Sequence, residues 1–326
     1  MPDSFTDEQL FGSLETALGR YPKERVELVV GAAEAVDFAA RTVTVRPGGG
    51  GPERVLAYDE LVLATGARTA SPGVPWKAGG TYDEARAALH ATQDRVRAAR
   101  HVVVAGAGST GVEVAAELGF AFSRATEADR KEVVLLSAGP EILDGDSIAG
   151  SARAELKKLG VTVRTDVRVT GDTKRPDGKT ELTLDGGETL VTDLYLPTFG
   201  LAPNTEYLDA QYLDNRKNVV VDEFHRVKGA EHVWAAGDIV SVPRAGFMIT
   251  RAQAGGVGRN VDLALAGKTP APVKGPMDVY VVATGRSRGV GRIGAYVKML
   301  SVMVWAAKGR TLATQMMAGY MDGSVA

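Results

Sequence analysis

Apolar residues fall at helical spacing first at Leu10, Phe11, Leu14, Ala17 and Leu18, which predicts a short helix over 5–20 with Gly12 as its weak point. Three extended runs follow: Val26–Ala32, Arg41–Arg46 and Arg54–Ala57. With Asp37 and Gly48–Gly51 as turn points they read as a β-meander. In YDELVLATGA (Tyr58–Ala67) the apolar strand Leu61–Ala64 ends in Thr-Gly. Ser71–Pro75 is rich in proline and reads as a linker, and residues 83–99 carry good helix formers with no Gly or Pro between them.

From His101 the pattern changes to an alternation of strand and helix. HVVVAGAGSTGVEVAAELGFAF gives a strand, a glycine turn and a helix, and EVVLLSAG gives the next strand. A helix over 147–159 and a strand Val161–Val163 continue the series. Val167–Thr170 and Glu181–Leu184 form a hairpin about Asp177-Gly178, and Leu190–Pro197 reads as one strand. Short strands Val219–Val221 and His232–Ala235 precede a helix over 251–267. A linker at Thr269–Pro276 leads to a tail of strands, a basic glycine-rich turn and apolar segments.

Composition narrows what this alternation can serve. With 326 residues, 44% hydrophobic and 24% charged, the chain has material for two domains and a sizeable core. A net charge of −2 gives no reason to expect nucleic acid. The 326 residues hold no cysteine, which excludes disulfide staples, Cys-based metal sites and thiol redox chemistry within them. No run is long and apolar enough for a bilayer span, and the early acidic residues do not suit a targeting peptide. His90, His101, His225 and His232 show no ligand spacing, so no metal site is expected and the four read as structural or surface residues.

The sharpest chemical feature is Gly106-Ala107-Gly108-Ser109-Thr110-Gly111. GxGxxG alone is weak; here it follows a buried strand (Val102–Ala105) and opens a helix (Val112–Leu118), the context the motif needs. Gly106 permits the turn, Gly108 lets backbone approach a diphosphate, and Gly111 lets helix and strand pack closely. Free N–H groups and the helix dipole then favour the anion. The competing reading is a glycine-rich turn in an unrelated α/β fold. The strand that should end in Asp or Glu, to grip an adenosine ribose, ends at Ser137 with no Arg beside it, so NAD versus NADP stays open. Glu113, placed in the first helical turn, reads either as a carboxylate settled by the dipole or as a catalytic group near a nicotinamide. Gly237-Asp238, in HVWAAGDIV, sets a carboxylate at a strand end where it could accept from a polyol hydroxyl.

The order ATG, GxGxxGxE, AxGD resembles the pyridine-nucleotide flavoprotein oxidoreductases, and within them the branch related to apoptosis-inducing factor, called AMID-like, with the ferroptosis-suppressor NAD(P)H:quinone reductases. GRSRGVGRIG (Gly285–Gly294) and VWAAKGRTL (Val304–Leu312) are similar to that branch's C-terminal region. The resemblance spans about residues 20–315. It implies FAD held by Thr65, Gly66, Gly237 and Asp238, NAD(P)H held by Gly106, Gly108, Ser109, Thr110 and Gly111, and transfer of electrons through the flavin to a quinone-like or other small acceptor. The family begins with a strand and a GxGxxG of its own for the FAD diphosphate. Gly12, Gly19 and Gly31 do not form one, so an N-terminal segment of roughly seventy residues is expected to be missing.

The expectation is therefore an α/β fold: a Rossmann-like NAD(P)-binding domain (77–199) inserted in an incomplete FAD-binding domain (1–76 and 200–268), with a small C-terminal α+β interface region (269–326). The expected function is that of an FAD-dependent NAD(P)H oxidoreductase, cytoplasmic or associated with an intracellular membrane. A flavin-free NAD(P) sensor or scaffold and an inactive truncated remnant stay open as alternatives. Around Tyr296–Ala307 the apolar tail reads first as core or homodimer contact, then as a wall facing a quinone or a shallow peripheral membrane contact.

Overall fold

The computed structural model describes residues 5–321, apart from 72, 78, 123–125, 127, 128, 241, 243, 244, 296 and 313. The chain forms two compact units: one takes in residues up to Gly12, Thr69–Gly200 and Met277–Ala318, the other Ser13–Arg68, Leu201–Pro276 and the residues from Gly319.

The first unit is built on a four-stranded parallel sheet. Its elements are α1 (Tyr82–Ala98), β1 (His101–Ala105), α2 (Ser109–Phe122), β2 (Glu132–Leu136), α3 (Ala149–Lys158) and β3 (Val161–Arg164). A meander of β4 (Val169–Lys174), β5 (Thr180–Leu184) and β6 (Thr189–Thr192) precedes β7 (Leu194–Pro197). The parallel order is β7-β1-β2-β3, with Val102 opposite both Leu194 and Val133. Each strand is a short β-branched or leucine run because both faces of the sheet are covered. On one face Val102 and Val104 pack with Val112, Ala115 and Ala116 of α2 and Leu156 of α3. On the other, Val103 and Ala105 pack with Leu182 and Leu184 of the antiparallel meander.

The tail belongs to this unit rather than standing apart. β8 (Val279–Ala283), β9 (Gly289–Ile293) and β10 (Val297–Lys298) form an antiparallel sheet, and Val282 and Val290 join the core beneath α2. A second GxGxxG, Gly289–Gly294, lies along β9, where a Cβ on Gly291 would meet Val281 and Met299. Its glycines serve close packing in a sheet and form no turn before a helix.

Several expectations need correcting. Leu190–Pro197 is two strands in different sheets, parted at Asp193, whose carboxylate accepts the backbone N–H groups of Arg100 (3.0 Å) and His101 (2.9 Å). Val26–Ala32 is not a strand: pairing starts only at Gly31, where a Cβ would collide with Arg46 O at 2.4 Å. The helix over 5–20 breaks into Asp7–Leu10 and Leu14–Leu18 around Gly12.

In the second unit, the meander Gly31–Asp37, Thr42–Pro47 and Arg54–Ala57 turns at Asp37, whose Oδ1 accepts from the N–H of Ala39 and Ala40. Leu61–Leu63 and Val233–Ala235 pair in parallel, with Leu63 opposite Ala235. The helix Phe247–Leu265 begins four residues earlier than its spacing suggests. Val219–Val221 makes only isolated bridges.

Candidate functional site

In the first unit the sheet changes direction beside β1: the chain steps from β1 to β2 and β3 on one side, then returns to β7 on the other. Open α/β sheets bind ligands at the carboxyl ends of the strands at such a point. Here those ends are Ala105 and Pro197. Thr198, directly after β7, donates its hydroxyl to Gly106 O at 2.8 Å and Ala105 O at 3.0 Å, and its N–H to Ala105 O. This residue carries no motif, and only the strand order reveals it.

The three glycines have separate steric reasons. Gly106 has φ +102°, a region that costs little only without a side chain. A Cβ on Gly111 would lie 1.7 Å from Gly106 O and 2.7 Å from Thr198 Oγ1. Around Gly108 a Cβ would meet nothing within 4 Å. Packing thus demands Gly106 and Gly111, whereas Gly108 faces open space where a side chain would only obstruct. Ser109 and Thr110 begin α2, and their amides, with that of Gly111, lie in its first turn, where no intrahelical acceptor exists. The residues fit a diphosphate.

Glu113 is the fifth residue of α2, beyond the first turn, so the dipole explanation loses its basis. Its Oε1 accepts the Ala283 N–H (2.9 Å) and the Lys308 ammonium (2.6 Å). One turn on, Glu117 receives Arg286 Nε at 3.2 Å. Burial pushes the Glu117 carboxyl up, with Arg286 opposing. These two pairs bind α2 to the tail. Sequence reasoning missed Lys308 and Arg286 because no local spacing joins positions about 170–195 residues apart.

In the second unit, Thr65-Gly66 and Gly237-Asp238 follow the two parallel strands. Gly66 (φ +68°) opens onto space free of heavy atoms within 4 Å, and Gly237 has φ +82°. The Thr65 hydroxyl donates to Asn204 O at 2.8 Å and lies 3.0 Å from Tyr207 Oη, while Asn204 Nδ2 returns a bond to Thr65 O. Gly237 N–H donates to Gln253 Oε1. Asp238 is half-buried in a short 3-10 turn. Two strand ends with an open glycine and a carboxylate fit a polyol-bearing cofactor. Among the described residues this unit has no strand–GxGxxG–helix turn for that cofactor's diphosphate.

At the start of the same strands, not at their ends, lies a cavity of about 680 Å³ beside Glu60, His232 and Trp234. None of the sequence-derived site residues lines it. Glu60, 6% exposed, accepts from Trp234 Nε1 at 2.6 Å and lies 2.7 Å from His232 Nδ1. This carboxylate staples the two strands where they begin.

The profile of a family described as pyridine nucleotide-disulphide oxidoreductase matches residues 5–258. The chain belongs to that family. Its members are FAD- and NAD(P)H-dependent oxidoreductases, and the chain is an oxidoreductase of this family. The oxidoreductase ptaL of Pestalotiopsis fici is 36% identical, over 100% of this chain and 86% of that protein. Human ferroptosis suppressor protein 1 is 28% identical, over 85% of this chain and 74% of that protein, in keeping with the AMID-like resemblance. A solved FAD-dependent pyridine nucleotide-disulphide oxidoreductase from Desulfovibrio vulgaris superposes with a TM-score of 0.58 at 26% identity, covering 82% of this chain and 68% of that one. No cysteine is present, so the disulphide chemistry in the family's name has no thiol to work with in these residues.

Proposed function

We propose that the chain takes electrons from NAD(P)H, through FAD, to a small quinone-like acceptor. The observation that carries the reading is the turn at Gly106–Gly111, a glycine-shaped concavity at the switch point of a parallel sheet, with the first-turn amides of α2 beside open space over Gly108. Gly106, Gly108, Ser109, Thr110 and Gly111 would hold the nicotinamide dinucleotide. Thr65, Gly66, Gly237 and Asp238 would hold the flavin side. FAD, when bound, supplies hydride acceptance and onward electron transfer, so the protein needs no nucleophile and no histidine base. Glu113 would face the nicotinamide, its carboxylate held in place by Lys308 and the Ala283 N–H.

The acceptor class draws support from the relatives and from the tail. Ferroptosis suppressor protein 1 is a relative across most of this chain. Val297, Leu300, Val302 and Met303 are exposed apolar residues, and the side chains of Lys298 and Arg310 have no acidic partner among the described residues. An apolar strip with unpaired cations suits a lipid-dissolved acceptor met at an anionic surface. No helix of the described residues is long and apolar enough to cross a membrane.

The test is spectroscopic. The purified chain incubated with FAD and passed through a desalting column should retain a flavin band, which should bleach anaerobically with NADH or NADPH and return on adding a short-chain quinone. Asp238→Ala should lower the retained flavin. A colourless protein that still binds NADH would replace this reading with a flavin-free dinucleotide-binding protein.

A further inference from the structure

The residue that should choose between NAD and NADP is missing from its usual place, which Ser137 occupies. Ser137, directly after β2, is 4% exposed and spends its hydroxyl on Glu141 O at 3.0 Å. It is too enclosed to meet a ribose. Its bond folds the loop back over the strand end. Two residues beyond Glu141, Leu143 N–H donates to Ala107 O at 2.8 Å, inside the glycine turn itself. Glu141 is thus the first carboxylate after β2, on a loop pinned at one end to the strand and at the other to the dinucleotide turn. Its side chain is about a third exposed. Oε1 accepts the Ile142 N–H at 2.8 Å and the Arg153 guanidinium. The Ile142 N–H, against some desolvation and with help from Arg153, holds this carboxyl below its ordinary value.

Two cations nearby are already committed. Arg153 faces Glu141, and Arg164, at the end of β3, makes a two-pronged bond to Glu188 at 2.8 and 3.1 Å. Arg153 and Arg164 are thus both paired with carboxylates, whereas Glu141 offers an acceptor for hydroxyls and a like charge against phosphate.

We infer that Glu141 is the specificity residue of the dinucleotide site: it accepts the adenosine ribose hydroxyls, keeps Arg153 from serving a 2′-phosphate, and makes the chain selective for NAD over NADP. The inference rests on the dinucleotide reading of Gly106–Gly111 given above. Asp144, the next carboxylate along, lies past the pinned Leu143 and takes no part.

Calorimetric titration of the full chain with NAD⁺ and with NADP⁺, neither of which turns over, tests this without an activity assay. The wild type should bind NAD⁺ at least about tenfold more tightly than NADP⁺, the worth of one charge-assisted hydrogen bond. Glu141→Gln keeps the shape and an acceptor for Ile142, so the loop should hold. In it NAD⁺ should weaken about tenfold while NADP⁺ tightens, as a repulsion is removed and Arg153 released. Loss of fold would weaken both, so the crossed response isolates the selecting role. In Glu141→Gln/Arg153→Gln the gain for NADP⁺ should disappear. Equal binding of both nucleotides by the wild type, or parallel changes in Glu141→Gln, overturns the assignment. So does a crossed response in Asp144→Asn. If neither nucleotide binds to any form, the dinucleotide site itself is wrong, which is a different failure.

Discussion

At Gly106 and at Gly237 an apolar strand runs into a glycine turn, yet the surroundings differ. The Gly106 turn is closed by backbone and one hydroxyl: Thr198 covers two carbonyls, and a Cβ on Gly111 would strike a carbonyl oxygen at 1.7 Å. The Gly106 N–H is spent on Leu136 O, and the amides of Ser109, Thr110 and Gly111 in the first turn of α2 are left for a ligand. The Gly237 turn is braced by side chains: Gln253, 4% exposed, takes Gly237 N–H and donates to Val242 O, while Thr65 and Asn204 bond each other reciprocally across the neighbouring turn. A site shaped by backbone sterics can be read from local sequence, because only glycine satisfies it. One shaped by distant side chains cannot.

The largest effects should come from breaking the steric frame at one glycine while leaving its neighbour's frame intact. Gly111→Ala must push α2 off β1, since the obstacle is backbone; the loss should be roughly 3 kcal/mol, the upper end for overpacking, read as a lower urea midpoint for the first unit. Gly108→Ala adds a methyl that touches nothing. Its urea midpoint should not move, yet NAD(P)H affinity should fall severalfold or more, because the methyl stands where a diphosphate must approach. If the two variants behave alike, the division of labour among these glycines is wrong.

How much was legible follows from the same contrast. The β1–turn–α2 unit, the hairpin about Asp177-Gly178 and the meander turn at Asp37 each rest on residues within a few positions of one another. Thr198, Lys308, Arg286 and Glu60 do not: each acts on a partner that the fold brings from about 90 to 195 residues away. Asp193 misled for a related reason. LVTDLYLP reads as one apolar strand, but the carboxylate captures two amides at the edge of β1, and the chain leaves one sheet for another. The Val26–Val30 run failed because apolar alternation says nothing of whether a partner strand is there; Val30 is 72% exposed.

A mid-sized effect should come from the side-chain-braced region. Glu60→Ala strands the indole N–H of Trp234, a residue 1% exposed, and releases His232. The cost should be roughly 1–3 kcal/mol and should fall on the second unit. Trp234 is that unit's tryptophan, the others being Trp76 and Trp305. In a background with Phe at those two positions, its emission should redden at lower urea in Glu60→Ala, while first-unit amides exchange as before. A uniform loss of protection through both units would dissolve the comparison, since it would mean they do not respond to local breaks separately.

The smallest effect concerns pH, and it asks whether the first unit also leans on a side chain. The Asp193 carboxyl is lowered from 3.8 to about 2, chiefly by the His101 N–H, with the Arg100 N–H and Lys179 adding and desolvation opposing. A depressed folded-state value means that the native chain holds its proton less readily than the unfolded one. The stabilisation is therefore complete above about pH 4 and is lost as the pH falls toward about 2. Asp193→Asn cannot titrate there and loses the charge that favours the two amides at neutral pH. The variant should be modestly less stable at pH 7, and its deficit should shrink as both proteins are taken from pH 4 to pH 2. A deficit that stays constant over that range would show that Asp193 works by shape alone, and would leave the first unit's sheet edge, like its glycine turn, a matter of backbone.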